Sequence, residues 1–161
     1  MFYDISRFPE LEELQSNWRT VLAEYTQLKT GVIPYFEEDL YLGEWDIFPF
    51  VMFGEFDPDR CKLCPKTWEL LKRVPELRTA GFSILRHTTD IHPHTGGTHG
   101  KVLRCHLGLI TPSNGALIVE DEPRRWEEGK FLIFDDNKEH YAYNHNVSED
   151  RVVLLIDIPK P

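Results

Sequence analysis

The chain has 161 residues, 41% hydrophobic and 28% charged, which fits one ordinary globular domain with a packed core. Its formal charge is −9, from 27 acidic and 18 basic side chains, so it offers no broad basic face for nucleic acid or for unaided docking on an acidic membrane. No apolar run approaches the ~20 residues of a membrane span, and no signal-peptide pattern opens the chain. With three cysteines, too few for a disulfide framework, this predicts a cytoplasmic, reducing location.

Leu11, Leu14, Trp18, Val21, Leu22 and Tyr25 recur at helical spacing and predict an amphipathic helix over residues 9–28. Pro9 suits its first turn and Gly31 follows its end. Residues 45–53 are aromatic and β-prone, and Asp57-Pro58-Asp59 reads as a turn. Pro65 opens a second helix carrying Trp68, Leu70 and Leu71, which ends before Pro75. From Ala80 the texture changes to short apolar runs at 81–86, 102–110, 116–119, 131–134, 140–143 and 151–158. Gly96-Gly97, Pro112-Ser113-Asn114-Gly115 and Glu128-Gly129 separate them. Many short strands at close spacing predict a β-sandwich or barrel. The whole reads as a single α+β domain, mainly β, helical over about 1–78 and β over about 79–161.

Five of the seven histidines fall between His87 and His106. The run Ile91-His92-Pro93-His94-Thr95-Gly96 lies at a strand-to-loop transition, and His140 opens a later strand. Neutral imidazole is the commonest protein metal ligand, and neighbouring strands of a barrel can bring His94 and His140 together. A structural zinc site needs four closed ligands, and Cys61 and Cys64 form one C-x-x-C pair with no second. The cysteines are therefore read as free thiols. Non-haem iron oxygenases use two histidines and a carboxylate on one face of the metal. Gly96 stands where that carboxylate usually lies, two residues after the first histidine. This leaves either a two-histidine site completed by water and cosubstrate, or a third ligand from Asp90, Asp136 or Glu139.

Arg104 and His106 are two apart on a strand and share a face, while Leu103, Cys105 and Leu107 take the other. A buried Arg needs an anionic partner. Arg151 begins the final strand, and a bound dicarboxylate could satisfy both arginines by forked hydrogen bonds. A salt bridge to an internal acid is the competing explanation. Ser83 could add a hydroxyl donor.

These residues stand in a set of segments: Phe82-Ser83-Ile84-Leu85, His94-Thr95-Gly96, Leu103-Arg104-Cys105-His106-Leu107-Gly108-Leu109, Trp126-Glu127-Glu128-Gly129-Lys130, Phe134-Asp135-Asp136 with Glu139-His140, and Arg151-Val152-Val153-Leu154 with Asp157. In order and spacing, over roughly half the chain, the set resembles the aspartyl/asparaginyl β-hydroxylases, oxygenases dependent on iron(II) and 2-oxoglutarate. Cys61-Lys62-Leu63-Cys64-Pro65-Lys66-Thr67 also looks like the bacterial branch, which includes lipid A hydroxylases.

The resemblance implies a double-stranded β-helix, a jelly-roll of the cupin kind, with N-terminal helices. It implies His94 and His140 as iron ligands with no carboxylate ligand, so Gly96 is expected. Asp136 becomes an acid behind the metal that orients a water. Ser83, Arg104, His106 and Arg151 become the residues that hold the carboxylates of 2-oxoglutarate. The segment from Trp126 to Lys130 is expected to supply a structural turn. The implied activity is O₂-dependent hydroxylation of a C–H bond, with succinate and CO₂ released, at the β-carbon of an Asp or Asn in a small molecule, peptide or protein. Gly97, where proline is common, a longer loop through His99, and His87-Thr88-Thr89 in place of a Pro-Gly turn put the substrate in doubt. The chain lacks the anchor of the animal enzymes and of lipid A hydroxylases, so a soluble or partner-delivered substrate is expected. Three alternatives stay open: acyl hydroxylation of the lipid A type, halogenation with chloride at the vacant ligand position, and a cupin-like barrel that binds a metal or small acid without turnover. Oligomeric state is not readable from the sequence.

Overall fold

The computed structural model describes residues 2–97 and 101–161. In chain order its elements are β1 (Phe2–Tyr3), α1 (Glu12–Ser16), α2 (Trp18–Thr26), β2 (Ile33–Pro34), β3 (Tyr41–Leu42), β4 (Trp45–Met52), β5 (Glu55–Phe56), α3 (Pro58–Leu63), α4 (Pro65–Leu71), β6 (Thr79–Leu85), β7 (Thr89–His94), β8 (Val102–Ile110), β9 (Gly115–Val119), β10 (Glu122–Arg124), β11 (Phe131–Asp135), β12 (His140–Asn144) and β13 (Arg151–Pro159).

Among the described residues the strands form two antiparallel sheets. The larger runs β1-β11-β8-β13-β6-β4-β2, with β5 beside β4, and the smaller runs β10-β9-β12-β7-β3. Long-range neighbours such as β13 beside β6 and β8 give the double-stranded β-helix order.

The period-two alternation of the central strands explains the layering. Val152, Leu154, Ile156 and Ile158 of β13 join Leu103, Cys105, Leu107 and Leu109 of β8 in a core beneath the N-terminal helices. Val153 of β13 and Leu85 of β6 point the other way, into a second core shared with Ile91, Leu117 and Ala142 of the smaller sheet. Polar residues at the alternating positions, Ser83, His106, Arg151 and Asp157, are thereby buried between the sheets. Those sheets set the site.

Three expectations are corrected. The single helix over 9–28 is a 3-10 turn at Pro9–Leu11 followed by α1 and α2, interrupted at Asn17. Asn17 Nδ2 donates to Glu13 O at 2.8 Å, the local side-chain-to-backbone bond that competes with helical geometry. Asp57-Pro58-Asp59 is a helix start rather than a turn: the Asp57 carboxylate accepts from the backbone N–H groups of Asp59 and Arg60, and Pro58 takes the first helical position. Strand structure is also not confined to residues after 78. β4 pairs with β6, and β1, β2, β3 and β5 add two-residue edges too short to show alternation.

Phe82 anchors the outer core, with edge-on contacts to Tyr25 and Phe50 at 5.1 and 5.3 Å between ring centres. Phe82→Ala is expected to cost about 3–5 kcal/mol, measured by denaturant unfolding followed by far-UV circular dichroism.

Candidate functional site

β7 ends where β12 begins, and the ladder between them pairs His140 with His94. The two rings lie 4.4 Å apart between centres. Each Nδ1 is 2.7 Å from the carbonyl oxygen two residues upstream, His94 on His92 and His140 on Lys138. An Nδ1–H donated to each carbonyl fixes the tautomer that leaves the Nε2 lone pair free for a metal. Burial holds His140 well below the ordinary histidine range, so it is neutral near pH 7.

Asp136, on the turn after β11, is fully buried and places Oδ1 3.6 Å from His140 Nε2. Its backbone oxygen accepts from Gly96 N–H at 2.8 Å. A Cβ at position 96 would fall 1.7 Å from Asp136 Oδ2. The Asp136 carboxylate therefore fills the space in which any side chain at 96 would begin. Of the other acids considered as ligands, Asp90 pairs with His145 on the surface at 2.7 Å, and Glu139 is exposed. No cluster of three or more His, Cys, Asp or Glu suited to a metal occurs among the described residues. Among the described residues the geometry brings two imidazoles together, those of His94 and His140, beside the Asp136 carboxylate.

Further in, Arg151 is 2% exposed and donates from Nη2 to the Oγ and backbone oxygen of Ser83, at 2.9 and 3.2 Å. Its guanidinium lies 4.6 Å from the centre of the Trp126 ring. Arg151 Nε has no hydrogen-bond partner among the described residues. Burial pulls the Arg151 pKa down to about 9. Ser83 Oγ accepts from Trp45 Nε1 at 2.9 Å as well as from Arg151. Both lone pairs are thus used, and the hydroxyl hydrogen is left to give. His106 Nδ1 accepts from Trp126 Nε1 at 3.1 Å, which puts the ring hydrogen on Nε2. Burial, then the nearby Arg151 and Arg104 charges, holds His106 well below its ordinary pKa, so it too is neutral.

Arg104 lies in a different environment. Its Nε and Nη2 fork onto Asp157 at 2.9 Å each, and Nη1 is 3.0 Å from Asp136 Oδ1. The internal salt bridge, one of the two explanations open for this residue, is therefore present. Ser83, His94, Gly96, Arg104, Asp136 and Asp157 line a cavity of about 440 Å³.

A sequence model described as Aspartyl/Asparaginyl beta-hydroxylase matches residues 15–161. The chain belongs to that family. An ornithine lipid ester-linked acyl 2-hydroxylase of Rhizobium tropici is 36% identical, over 99% of this chain and 60% of its own length. The human aspartyl/asparaginyl β-hydroxylase is 35% identical, over 94% of this chain and 21% of its own. The chain thus spans less than two thirds of these relatives. Among solved structures, an oxidoreductase of the 2OG-Fe(II) oxygenase family from Burkholderia pseudomallei superimposes with a TM-score of 0.65 at 10% identity, covering 92% of this chain and 86% of that one. A cupin-like protein of Thermotoga maritima gives 0.52 at 12% identity, over 81% and 78%. At these identities the likeness shows the fold: the double-stranded β-helix shared by cupins and these oxygenases.

Within this family frame, two residues central to the site escape a reading of motifs. Trp126, taken as part of a structural turn, contacts both Arg151 and His106. Trp45 holds Ser83 from a strand read only as aromatic. An indole N–H needs an acceptor once buried, and that is the signal that points to both. His87 and His92 are exposed, and His99 lies outside the described residues. The three cysteines are free and buried, with burial pushing Cys61 up to about 11 and Cys64 up to about 12, so none is a reactive thiolate.

Two buried neutral histidines fix the sign of the acid response. Each binds its proton more weakly folded than unfolded, so stability is full above pH ~6.5 and falls as the pH drops toward the folded value, about 4 for His140. The melting temperature of the metal-free protein is expected to fall steadily from pH 6.5 to 4.5, and to fall less steeply in His106→Gln.

Proposed function

We propose that this chain is an iron(II)- and 2-oxoglutarate-dependent hydroxylase. The observation that carries the reading is a buried guanidinium with no acid opposite it among the described residues, Arg151, which donates to Ser83, and Ser83 lines the cavity that His94 also lines. A cation so placed is costly alone and is stabilised by an anion that comes with the cosubstrate. The donor set fits the group: two imidazoles with free Nε2, one uncompensated cation, and unused hydrogens on Ser83 and His106. When bound, iron with 2-oxoglutarate and O₂ supplies the two-electron oxidation that places a hydroxyl on a C–H carbon and releases succinate and CO₂.

In this reading His94 and His140 hold the iron. Arg151 Nε and the Ser83 hydroxyl take one carboxylate of 2-oxoglutarate, and His106 Nε2–H gives a further donor. Arg104 is already neutralised by Asp157 and Asp136, so it contributes only the terminal N–H groups those pairs leave, and Arg151 meets the charge. Asp136, beside the metal face, orients a water by accepting its hydrogen. Chloride in the vacated position would face the Asp136 carboxylate across Gly96, which disfavours halogenation. Three free, buried cysteines support a cytoplasmic, reducing setting as part of the proposal, and no helix among the described residues is long and apolar enough to cross a membrane.

The family's name points to the β-carbon of an Asp or Asn in a small molecule, peptide or protein. A specific observation favours an acyl chain as a second substrate reading. Ile47, Pro49, Val102 and Leu155 make much of the cavity wall apolar, and two further lining residues, Phe36 and Phe53, are 58% and 71% exposed. A large apolar surface left open beside a cavity suits an apolar substrate.

Anaerobic titration with Fe(II) and 2-oxoglutarate is expected to produce the visible charge-transfer band of the chelated complex, and His94→Ala is expected to lose it. Absence of the band in folded wild type would sink the oxygenase reading in favour of a non-catalytic binding barrel. Arg151→Met is expected to leave the free protein at least as stable as wild type while abolishing the thermal shift given by 2-oxoglutarate, about 2.7 kcal/mol at a hundredfold excess over Kd. Succinate release with Asp- or Asn-bearing peptides against acyl amphiphiles then separates the two substrate readings.

A further inference from the structure

We propose that Asp157 is a positioning residue, which fixes the Asp136 carboxylate against the metal face by acting through Arg104. The inference rests on the metal reading above. Asp157 and Arg104 face each other in register across the β13–β8 ladder, so the backbone itself sets up their contact. The fork is parallel, Nε to Oδ1 and Nη2 to Oδ2, both at 2.9 Å. A guanidinium is planar, so a fork on that edge dictates where the third nitrogen goes. Nη1 is left 3.0 Å from Asp136 Oδ1, and the same oxygen is 3.6 Å from His140 Nε2. The links run from Asp157 through Arg104 and Asp136 to the imidazole face.

The consequence is directional. Asp157 is 3% exposed and Asp136 fully buried, so water competes weakly for either carboxylate. With Asp157 neutralised, Arg104 keeps one buried anionic neighbour. Its preference for a bidentate fork then turns onto Asp136. The Asp136 carboxylate has little freedom to compensate, because Oδ2 fills the space over Gly96 and its backbone oxygen is held by Gly96 N–H. Rotation toward Arg104 carries Oδ1 away from His140. Asp157 touches neither imidazole in this scheme and acts only through its neighbours.

The test is a double-mutant cycle read by cobalt(II) binding in the absence of cosubstrate, from the visible d–d absorption, with a thermal melt for each variant. Asp136→Asn is expected to weaken cobalt(II) about tenfold, the lower end for residues supporting metal ligands. Asp157→Asn is expected to weaken it by a similar factor and to shift the d–d bands. The double variant should be no weaker than the worse single. If Asp157→Asn proves unfolded, Arg104→Lys, which keeps the charge and loses the fork, replaces it in the cycle with the same expected non-additivity. An unchanged cobalt(II) Kd and spectrum in folded Asp157→Asn, or factors that multiply in the double variant, would overturn the proposal and leave Asp157 a stabilising ion pair. Folded wild type that binds no cobalt(II) at all would overturn the metal reading, and this inference with it.

Discussion

Arg104 and Arg151 differ in one respect on which the site depends: among the described residues one has acids opposite it and the other has none. Arg104 faces Asp157 and Asp136, and despite burial these acids hold its pKa above the ordinary arginine value. Arg151 rests on an indole face and a serine, and burial alone governs it, pulling its pKa down. An interior of low polarity tolerates the first arrangement and resists the second. The sheets accept the uncompensated cation because Ser83, Trp45 and Trp126 hold it in place through contacts that leave Nε unsatisfied.

The same alternation that builds the layers creates this contrast. Each central strand gives one set of alternate positions, mostly apolar, to the core under the helices, and the other set, polar and apolar together, to the space between sheets. The first set packs against the N-terminal helices and anchors the larger sheet. The second holds charged and hydrogen-bonding groups rigidly, because their backbones belong to ladders locked by that outer core. Rigid placement lets two carbonyls, those of His92 and Lys138, set the tautomers of two histidines at equal distances.

Much of this was legible in the sequence. Short apolar runs between glycine- and proline-rich breaks mark the central strands to within a residue or two, and the two-residue spacing of Arg104 and His106 marks their shared face. The first helix was harder to read, because hydrophobic spacing continues unbroken past Asn17 while the backbone does not. Edge strands of two residues carry no period at all. The pairing of Arg104 with Asp157 lay beyond reach for another reason: nothing local distinguishes an arginine that meets a cosubstrate from one that meets an acid on the adjacent strand. Only the ladder register decides it. Trp126 shows the reverse case, since its segment was noticed but assigned to a turn, when the indole reaches back to two other strands.

Gly96 and Asp136 also constrain how such a site can change over evolutionary time. They occupy one volume between them, so a carboxylate can enter from the loop after β7 or from the turn after β11, but not from both. Placing an acid at position 96 by a single substitution drives it into the Asp136 side chain, and removing Asp136 first leaves Arg104 with one acid fewer and the space beside Gly96 empty. Two-histidine and three-ligand versions of this barrel are thus separated by a paired exchange, each half of which is unfavourable alone. Packing against Asp136 therefore holds glycine at this position, independently of the reaction the site serves.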